Sequence, residues 1–189
     1  GSKSRGTILR FVRQIVRFLE TRQVKAIVVA CNTASAYVLD TIEKEIRLPI
    51  IGVVKPGAKT AAEVSRNGRI GVIATDATIG SGLYPQFIRS INPALQVFGK
   101  ACPLFVPLVE EGMTHDFVTE EIARRYLKEL QEKDIDTLIL GCTHYPLLRS
   151  LIRGIMGDGV QLVNPAYETA LGLRRLLEEK GILADRAPE

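Results

Sequence analysis

The chain has 189 residues, of which 46% are hydrophobic and 24% are charged, and its net charge is +4. These values are typical of a globular protein with one large domain or two small ones. No apolar run approaches the ~20 residues that span a bilayer, so a membrane helix is not expected. The basic residues form no stripe with interleaved aromatic side chains, so we expect no nucleic acid partner.

The chain contains three cysteines, Cys31, Cys102 and Cys142. An odd and sparse set without C-x-x-C spacing argues against a disulfide framework and against a structural zinc site. We therefore expect free thiols, no metal and a reducing, cytoplasmic compartment.

Apolar periodicity predicts alternating helices and strands along the chain. The predicted helices cover 7–22, 33–45, a part of 55–68 that follows a loop, a part of 75–91 that follows a turn, 116–132, 145–155 and 168–179. The predicted strands cover 24–30, 50–54, 69–74, 96–98, 135–140 and 160–163. The segment 102–113 is predicted to be irregular, because Pro103 and Pro107 disfavour a central strand or a helix interior. Together these elements predict the α/β class with parallel sheets.

The first half of the chain supplies only two strands, 24–30 and 50–54, and a long helix precedes them. Sheets usually have ~4–6 strands, so we expect this half-unit to be incomplete on its N-terminal side. Bare strand edges promote aggregation, which predicts that the chain alone is poorly soluble or depends on another chain.

Two stretches repeat one pattern: "VKAIVVACNT" at 24–33 and "IDTLILGCTH" at 135–144. Each has a strand, a small residue, a cysteine and a polar pair, which indicates two related half-units. In open α/β sheets, ligands bind at the carboxyl ends of strands, where a following helix favours a thiolate and binds carboxylates. A lone cysteine is more often a packing residue, and Cys102 fits that interpretation. The matched pair Cys31 and Cys142 favours chemistry.

Three kinds of chemistry fit two thiols on two half-units. They could form a redox pair, or one could be a nucleophile assisted by a base. They could also transfer protons on the two faces of one carbon, which a racemase needs because it works in both directions. His144 could serve as a proton partner or orient a ligand, while Asn32 and Thr33 could bind a ligand or simply cap a helix.

The motifs "VVACNTAS", "CPLFVPLVEEG" and "LGCTHYPLL", with "GVIATDATIGSGLY" between the first two, resemble the bacterial glutamate racemase family in order and spacing. This family needs no cofactor and makes D-glutamate for peptidoglycan. The resemblance implies two pseudo-symmetric, doubly wound parallel-sheet domains with the site between them. It places one domain at 1–55 with 165–189 and the other at 56–164, with chain crossings near 54–57 and 164–165.

The resemblance also implies the site residues. Cys31 and Cys142 would be the two acid/base catalysts, with His144 and Glu110 assisting. The residues expected to contact the substrate are Gly1, Asn32, Thr33, Thr143 and His144. The family's N-terminal strand, with its Phe-Asp-Ser-Gly loop, has no counterpart in this sequence.

Alternatives remain at this point. The substrate could be that of an aspartate or hydantoin racemase, or the chain could be a non-catalytic interaction module. We expect a small molecule, glutamate, as the partner, with no membrane and no nucleic acid required, and leave both a monomer and a homodimer open.

Overall fold

The computed structural model of the chain describes residues 3–184. Its helices are α1 (Arg5–Glu20), α2 (Asn32–Glu45), α3 (Val54–Val64), α4 (Asp76–Gly80), α5 (Leu83–Ile91), α6 (Phe105–Glu110), α7 (Phe117–Gln131), α8 (Arg149–Met156) and α9 (Pro165–Glu179). Its strands are β1 (Ile27–Val29), β2 (Ile50–Gly52), β3 (Arg69–Ala74), β4 (Gln96–Ala101), β5 (Thr137–Gly141) and β6 (Gln161–Val163). The α/β class with two parallel sheets is confirmed.

The first sheet has two strands within the described residues, β1 and β2, paired in parallel from Ile27↔Ile50 to Val29↔Gly52. Helices α1 and α2 pack beside them, and side chains such as Val16, Val38 and Ile42 form a small core. The strand predicted at 24–30 is observed only over Ile27–Val29, because β2 has only three residues to pair with it.

The second sheet has the strand order β4-β3-β5-β6, and all of its strands are parallel. Every residue of β5 is buried, as are all but the first of β3, which explains their uninterrupted apolar runs. Helices α3 and α5 contribute to one core of this unit, and α6, α7 and α8 contribute to a second.

Three local predictions were wrong. The segment predicted to be irregular contains α6, because Pro107 is the third residue of that helix, where its missing N–H would have had no partner within the helix. The helix predicted from residue 145 begins as a 3-10 turn, Tyr145–Leu148, and becomes α8 only at Arg149. The strand predicted at 50–54 is β2 and ends at Gly52, and the loop predicted at the start of 55–68 is instead helical, because α3 begins at Val54.

The two expected chain crossings lie against each other. A Cβ added to Gly57 of α3 would lie 2.9 Å from Cγ of Pro165, the first residue of α9. Val54 and Ala58 of α3 already belong to the core around β3. The domain limits 1–55 with 165–189 and 56–164 stay a prediction. Between residues 3 and 184, no helix is long and apolar enough to cross a membrane.

Candidate active site

Cys31 stands at the carboxyl end of the first sheet, two residues after β1. It is the N-cap residue of α2, and its carbonyl oxygen accepts a hydrogen bond from the Ser35 N–H at 2.8 Å. Its side chain makes no capping bond, and the residue is exposed. The thiol is therefore available for chemistry at the positive end of a 14-residue helix, which attracts anionic ligands.

Cys142 directly follows β5 and is 9% exposed. Burial raises the pKa of its thiol; the backbone N–H of His144 and the hydroxyl of Thr143 act in the opposite direction, and the charge of Cys31 raises it further. The raised pKa favours the protonated thiol.

The strand order places Cys142 at a topological switch point. The chain leaves β3 for β4 on one side and later returns to β5 on the other side. Ala74 and Gly141 are the last paired residues of β3 and β5, so Thr75 and Cys142 follow side by side. Ligands of open α/β sheets bind in the crevice at such a point.

Residues of α2 reach across to this crevice. The Tyr84 hydroxyl donates to Oδ1 of Asn32 at 2.6 Å. The Thr33 hydroxyl lies 2.9 Å from that of Thr75 and 3.1 Å from that of Thr78. The start of α2, directly after Cys31, is thus hydrogen-bonded to Thr75, which follows β3 beside Cys142, and to Thr78 and Tyr84.

Sequence reasoning missed Tyr84, Thr75 and Thr78, although all three lie in the motif "GVIATDATIGSGLY". The available signal was the position of Thr75 directly after a predicted strand. Nothing in the sequence indicated that Tyr84, one helix further on, would point back at Asn32.

His144 and Thr143 lie next to the Cys142 thiol. Nδ1 of His144 is 3.8 Å from Sγ of Cys142 and 3.3 Å from the Thr143 hydroxyl. Nε2 of the same ring is 3.2 Å from Oε1 of Glu110, the last residue of α6. Glu110 was expected to assist a thiol, and in the structure its contact is with the histidine.

The remaining candidates take no part in this arrangement. Gly1, expected to bind substrate, lies outside the described residues. Cys102 is fully buried, burial raises its pKa, and its sulfur lies 3.7 Å from the Lys100 carbonyl oxygen. Across residues 3–184, no group of three or more His, Cys, Asp or Glu side chains could hold a metal ion.

A cavity of about 520 Å³ lies elsewhere, between β2, α3, α5 and α9. Its lining includes Ile51, Lys55, Phe87 and Leu171, and no candidate site residue. The chemistry of the two strand ends, rather than cavity size, therefore identifies the candidate site.

The chain thus has two parallel sheets, each with a cysteine just after the carboxyl end of one of its strands. The family model described as Asp/Glu/Hydantoin racemase matches residues 2–170. The chain belongs to this family.

Individual relatives agree with this assignment. Glutamate racemase of Geobacter metallireducens is 50% identical over 170 residues, which are 90% of this chain and 63% of that protein. The crystal structure of glutamate racemase isoform RacE1 from Bacillus anthracis is similar with a TM-score of 0.94 at 41% identity, covering 98% of this chain and 70% of that one. That of Francisella tularensis glutamate racemase in complex with D-glutamate has a TM-score of 0.90 at 37% identity, covering 98% and 69%. The chain thus spans about two thirds of the length of these relatives.

Proposed function

We propose that this chain forms the catalytic crevice of a glutamate racemase that interconverts L- and D-glutamate without a cofactor. The observation that carries the proposal is the placement of Cys31 and Cys142 just after β1 and β5, with the start of α2 hydrogen-bonded to Thr75, which lies beside Cys142, and to Tyr84. Family membership and the D-glutamate bound to a similar structure support glutamate as the substrate.

The reaction needs two groups on opposite faces of Cα. One cysteine, as thiolate, takes the Cα proton, and the electron pair of the broken C–H bond passes into the carboxylate. The other cysteine, as thiol, returns a proton to the opposite face, which forms the new C–H bond and inverts the centre. Burial raises the pKa of the Cys142 thiol and so favours its protonated form, which suits it as the donor in one direction. The roles of the two cysteines exchange in the reverse direction.

The neighbouring side chains supply binding and proton handling. The Asn32 amide and the hydroxyls of Thr33 and Thr143 bind the polar groups of the amino acid. His144 lies beside the Cys142 sulfur and accepts or returns its proton, and Glu110 orients the His144 ring.

We further propose that the product supplies peptidoglycan synthesis and that the protein works in the cytoplasm. Free thiols are needed for this chemistry, and a reducing compartment maintains them. The three cysteines of the described chain are all free.

The test uses the protein at the length its gene encodes, with Cys31→Ser, Cys142→Ser and the control Cys102→Ser. Circular dichroism follows racemisation from each enantiomer, and Cα deuterium uptake in D₂O follows proton removal alone. We expect both site variants to lose racemisation by at least ~100-fold, because a serine hydroxyl is a far weaker acid, while Cys102→Ser retains it. A β-substituted substrate should still undergo elimination of HX in each variant from one enantiomer, because elimination needs only one base.

Near-full racemisation by Cys142→Ser would exclude the two-cysteine mechanism. Parallel assays with L-aspartate and a 5-substituted hydantoin test the other substrates of the family. Wild-type protein that binds glutamate and shows neither racemisation nor deuterium uptake would indicate an interaction module instead.

A further inference from the structure

We infer that Tyr84 is a positioning residue that fixes the side-chain amide of Asn32, so that the amide N–H groups, rather than its oxygen, face the ligand. The inference rests on the proposed function and adds a residue that neither substrate nor thiol needs to touch. It also assigns a purpose to a buried tyrosine that the two-thiol mechanism leaves unused.

The hydrogen bond determines the orientation of the amide. Tyr84 is 2% exposed, so its hydroxyl hydrogen needs an acceptor within the protein. Within residues 3–184, the one side-chain partner of this hydroxyl is Oδ1 of Asn32, at 2.6 Å. If the amide were flipped, its N–H would point at the hydroxyl, and the hydroxyl hydrogen would lose its acceptor. The observed orientation leaves both Nδ2 hydrogens of Asn32 to donate elsewhere.

Those two donors have no side-chain or backbone acceptor within the described residues. Asn32 is 5% exposed, and it lies between Cys31 and Thr33 at the start of α2. No fully buried side-chain nitrogen or oxygen atom of the described residues lacks a partner, so Nδ2, which has none among them, is not fully enclosed. A donor pair at this position matches the oxygen atoms of a carboxylate.

Tyr84 also touches the second strand end. A Cβ added to Gly141 would lie 3.4 Å from Cε2 of the tyrosine ring, and Gly141 immediately precedes Cys142. One rigid ring therefore packs against the residue before one catalytic cysteine and hydrogen-bonds the residue after the other. This arrangement sets the Asn32 donors relative to both thiols.

Tyr145 provides a matched control for this role. It is also fully buried, and its hydroxyl donates to the Cys102 carbonyl oxygen at 2.9 Å. Tyr145→Phe and Tyr84→Phe thus remove the same atom and one buried hydrogen bond each. Only the second change releases a side chain that faces the crevice.

The experiment compares KM and kcat for glutamate in the two variants. We expect Tyr84→Phe to raise KM about tenfold with a smaller change in kcat, because the Asn32 donors act on bound substrate and transition state alike. Tyr145→Phe should leave both constants within about twofold. In an Asn32→Ala background, Tyr84→Phe should have no further effect, because it acts through Asn32. Equal effects of the two tyrosine variants, or a full further loss in the Asn32→Ala background, would overturn the inference.

Asn32→Asp gives an independent result that does not depend on how Tyr84→Phe folds. An aspartate keeps an acceptor for Tyr84 and removes both N–H donors, so glutamate binding by calorimetry should weaken strongly. Unchanged binding would contradict the role of the donors.

A signal from the free protein separates this inference from the proposed function. In ¹⁵N spectra, the Asn32 side-chain amide pair, assigned by its loss in Asn32→Ala, should shift in Tyr84→Phe and remain in place in Tyr145→Phe. If the wild-type protein shows no racemisation, the proposed function is contradicted. The ¹⁵N spectrum of the free protein still tests the role of Tyr84 in that case. If the Asn32 amide signals do not shift in Tyr84→Phe, the positioning role of Tyr84 is contradicted.

Discussion

Glu110 contacts the imidazole of His144: its Oε1 lies 3.2 Å from Nε2, while Nδ1 of the same ring lies 3.8 Å from the Cys142 sulfur. A carboxylate accepts hydrogen bonds, so it favours the tautomer with the proton on Nε2. Nδ1 is then an acceptor facing the thiol. The three side chains form a path along which a proton can leave Cys142.

Replacing Glu110 by Gln should weaken catalysis modestly. The amide can still contact the ring, but it no longer favours one tautomer. Because the side chain of Glu110 is 62% exposed, and exposed ion pairs contribute ~0–1 kcal/mol, we expect kcat to fall by at most about tenfold. Steady-state kinetics in both directions measure the effect. Glu111→Gln, the adjacent exposed carboxylate, is the control, and an equal loss there would contradict the assignment.

The candidate site could be predicted in outline because its signals are local. A strand, a small residue, a cysteine and a polar pair are contiguous in the sequence, and the carboxyl ends of parallel strands are known ligand sites. This pattern predicts Cys31, Asn32, Thr33, Cys142 and His144 as site residues. The contacts of Tyr84 with Asn32, and of Glu110 with His144, join residues far apart in the sequence, and no periodicity reports such pairs.

The secondary structure likewise could be predicted where its signals are local, and not where it depends on neighbouring strands or on position within a helix. Strand β3 was predicted with its observed limits because it is an apolar run between a turn and a polar loop. Helix α6 was missed because proline was treated as a helix breaker, whereas in the first turn it loses no hydrogen bond. Strand β4 extends to Ala101, beyond the predicted residue 98, because β3 continues alongside it.

Gly141→Ala should destabilise the protein and disturb Cys142. The added Cβ would lie 2.8 Å from the Ile73 carbonyl oxygen and 3.1 Å from the Ala74 Cβ, and backbone atoms of a central strand cannot move aside cheaply. We expect a loss of roughly 1–3 kcal/mol in the free energy of unfolding by urea titration. Gly154→Ala in α8 is the control: its Cβ meets nothing within 4 Å, so stability should rise by about 0.5–1 kcal/mol.

Asp136 should confer pH-dependent stability. Burial raises the pKa of its carboxyl, but hydrogen bonds from the Asn67 N–H, the Ser65 and Thr137 hydroxyls and the Arg66 N–H outweigh burial and lower it. A lowered folded-state pKa means that the stabilisation is present above the unfolded value of about 3.9 and disappears as pH falls through the folded one.

Asp136→Asn should therefore lose roughly 1–3 kcal/mol at pH 7, because an amide replaces one acceptor oxygen by a donor facing N–H groups. Urea unfolding at pH 7 and near pH 3 checks this, and the gap to wild type should narrow at the lower pH. Asp158→Asn, in an exposed loop, should show no gap at either pH. A gap that widens on acidification would contradict the sign of the shift.

The first sheet should promote self-association of a chain limited to residues 1–189. Val28 in β1 is 42% exposed, and α1 exposes Phe11, Ile15 and Phe18. Burying such side chains gains roughly 1.5–3 kcal/mol each. Sedimentation velocity should show concentration-dependent dimers or larger species, reduced by Val28→Lys at the strand edge. Phe117→Lys, at an 80% exposed position in α7, should not change the association. If the protein is monomeric at all concentrations, this prediction is wrong and the homodimer left open from the sequence is excluded.

The hydroxyls of Thr33, Thr75 and Thr78 close a three-membered ring of hydrogen bonds, with oxygen separations of 2.9, 3.1 and 3.1 Å. Each hydroxyl in such a ring donates once and accepts once, and the ring can run in either of two directions. Changing direction needs only rotation of the O–H bonds, without movement of a heavy atom. The polarity of this corner of the crevice is therefore reversible at little cost. Under the proposed function, both mirror images of glutamate would meet there a group of hydroxyls whose hydrogen-bond direction has no built-in handedness.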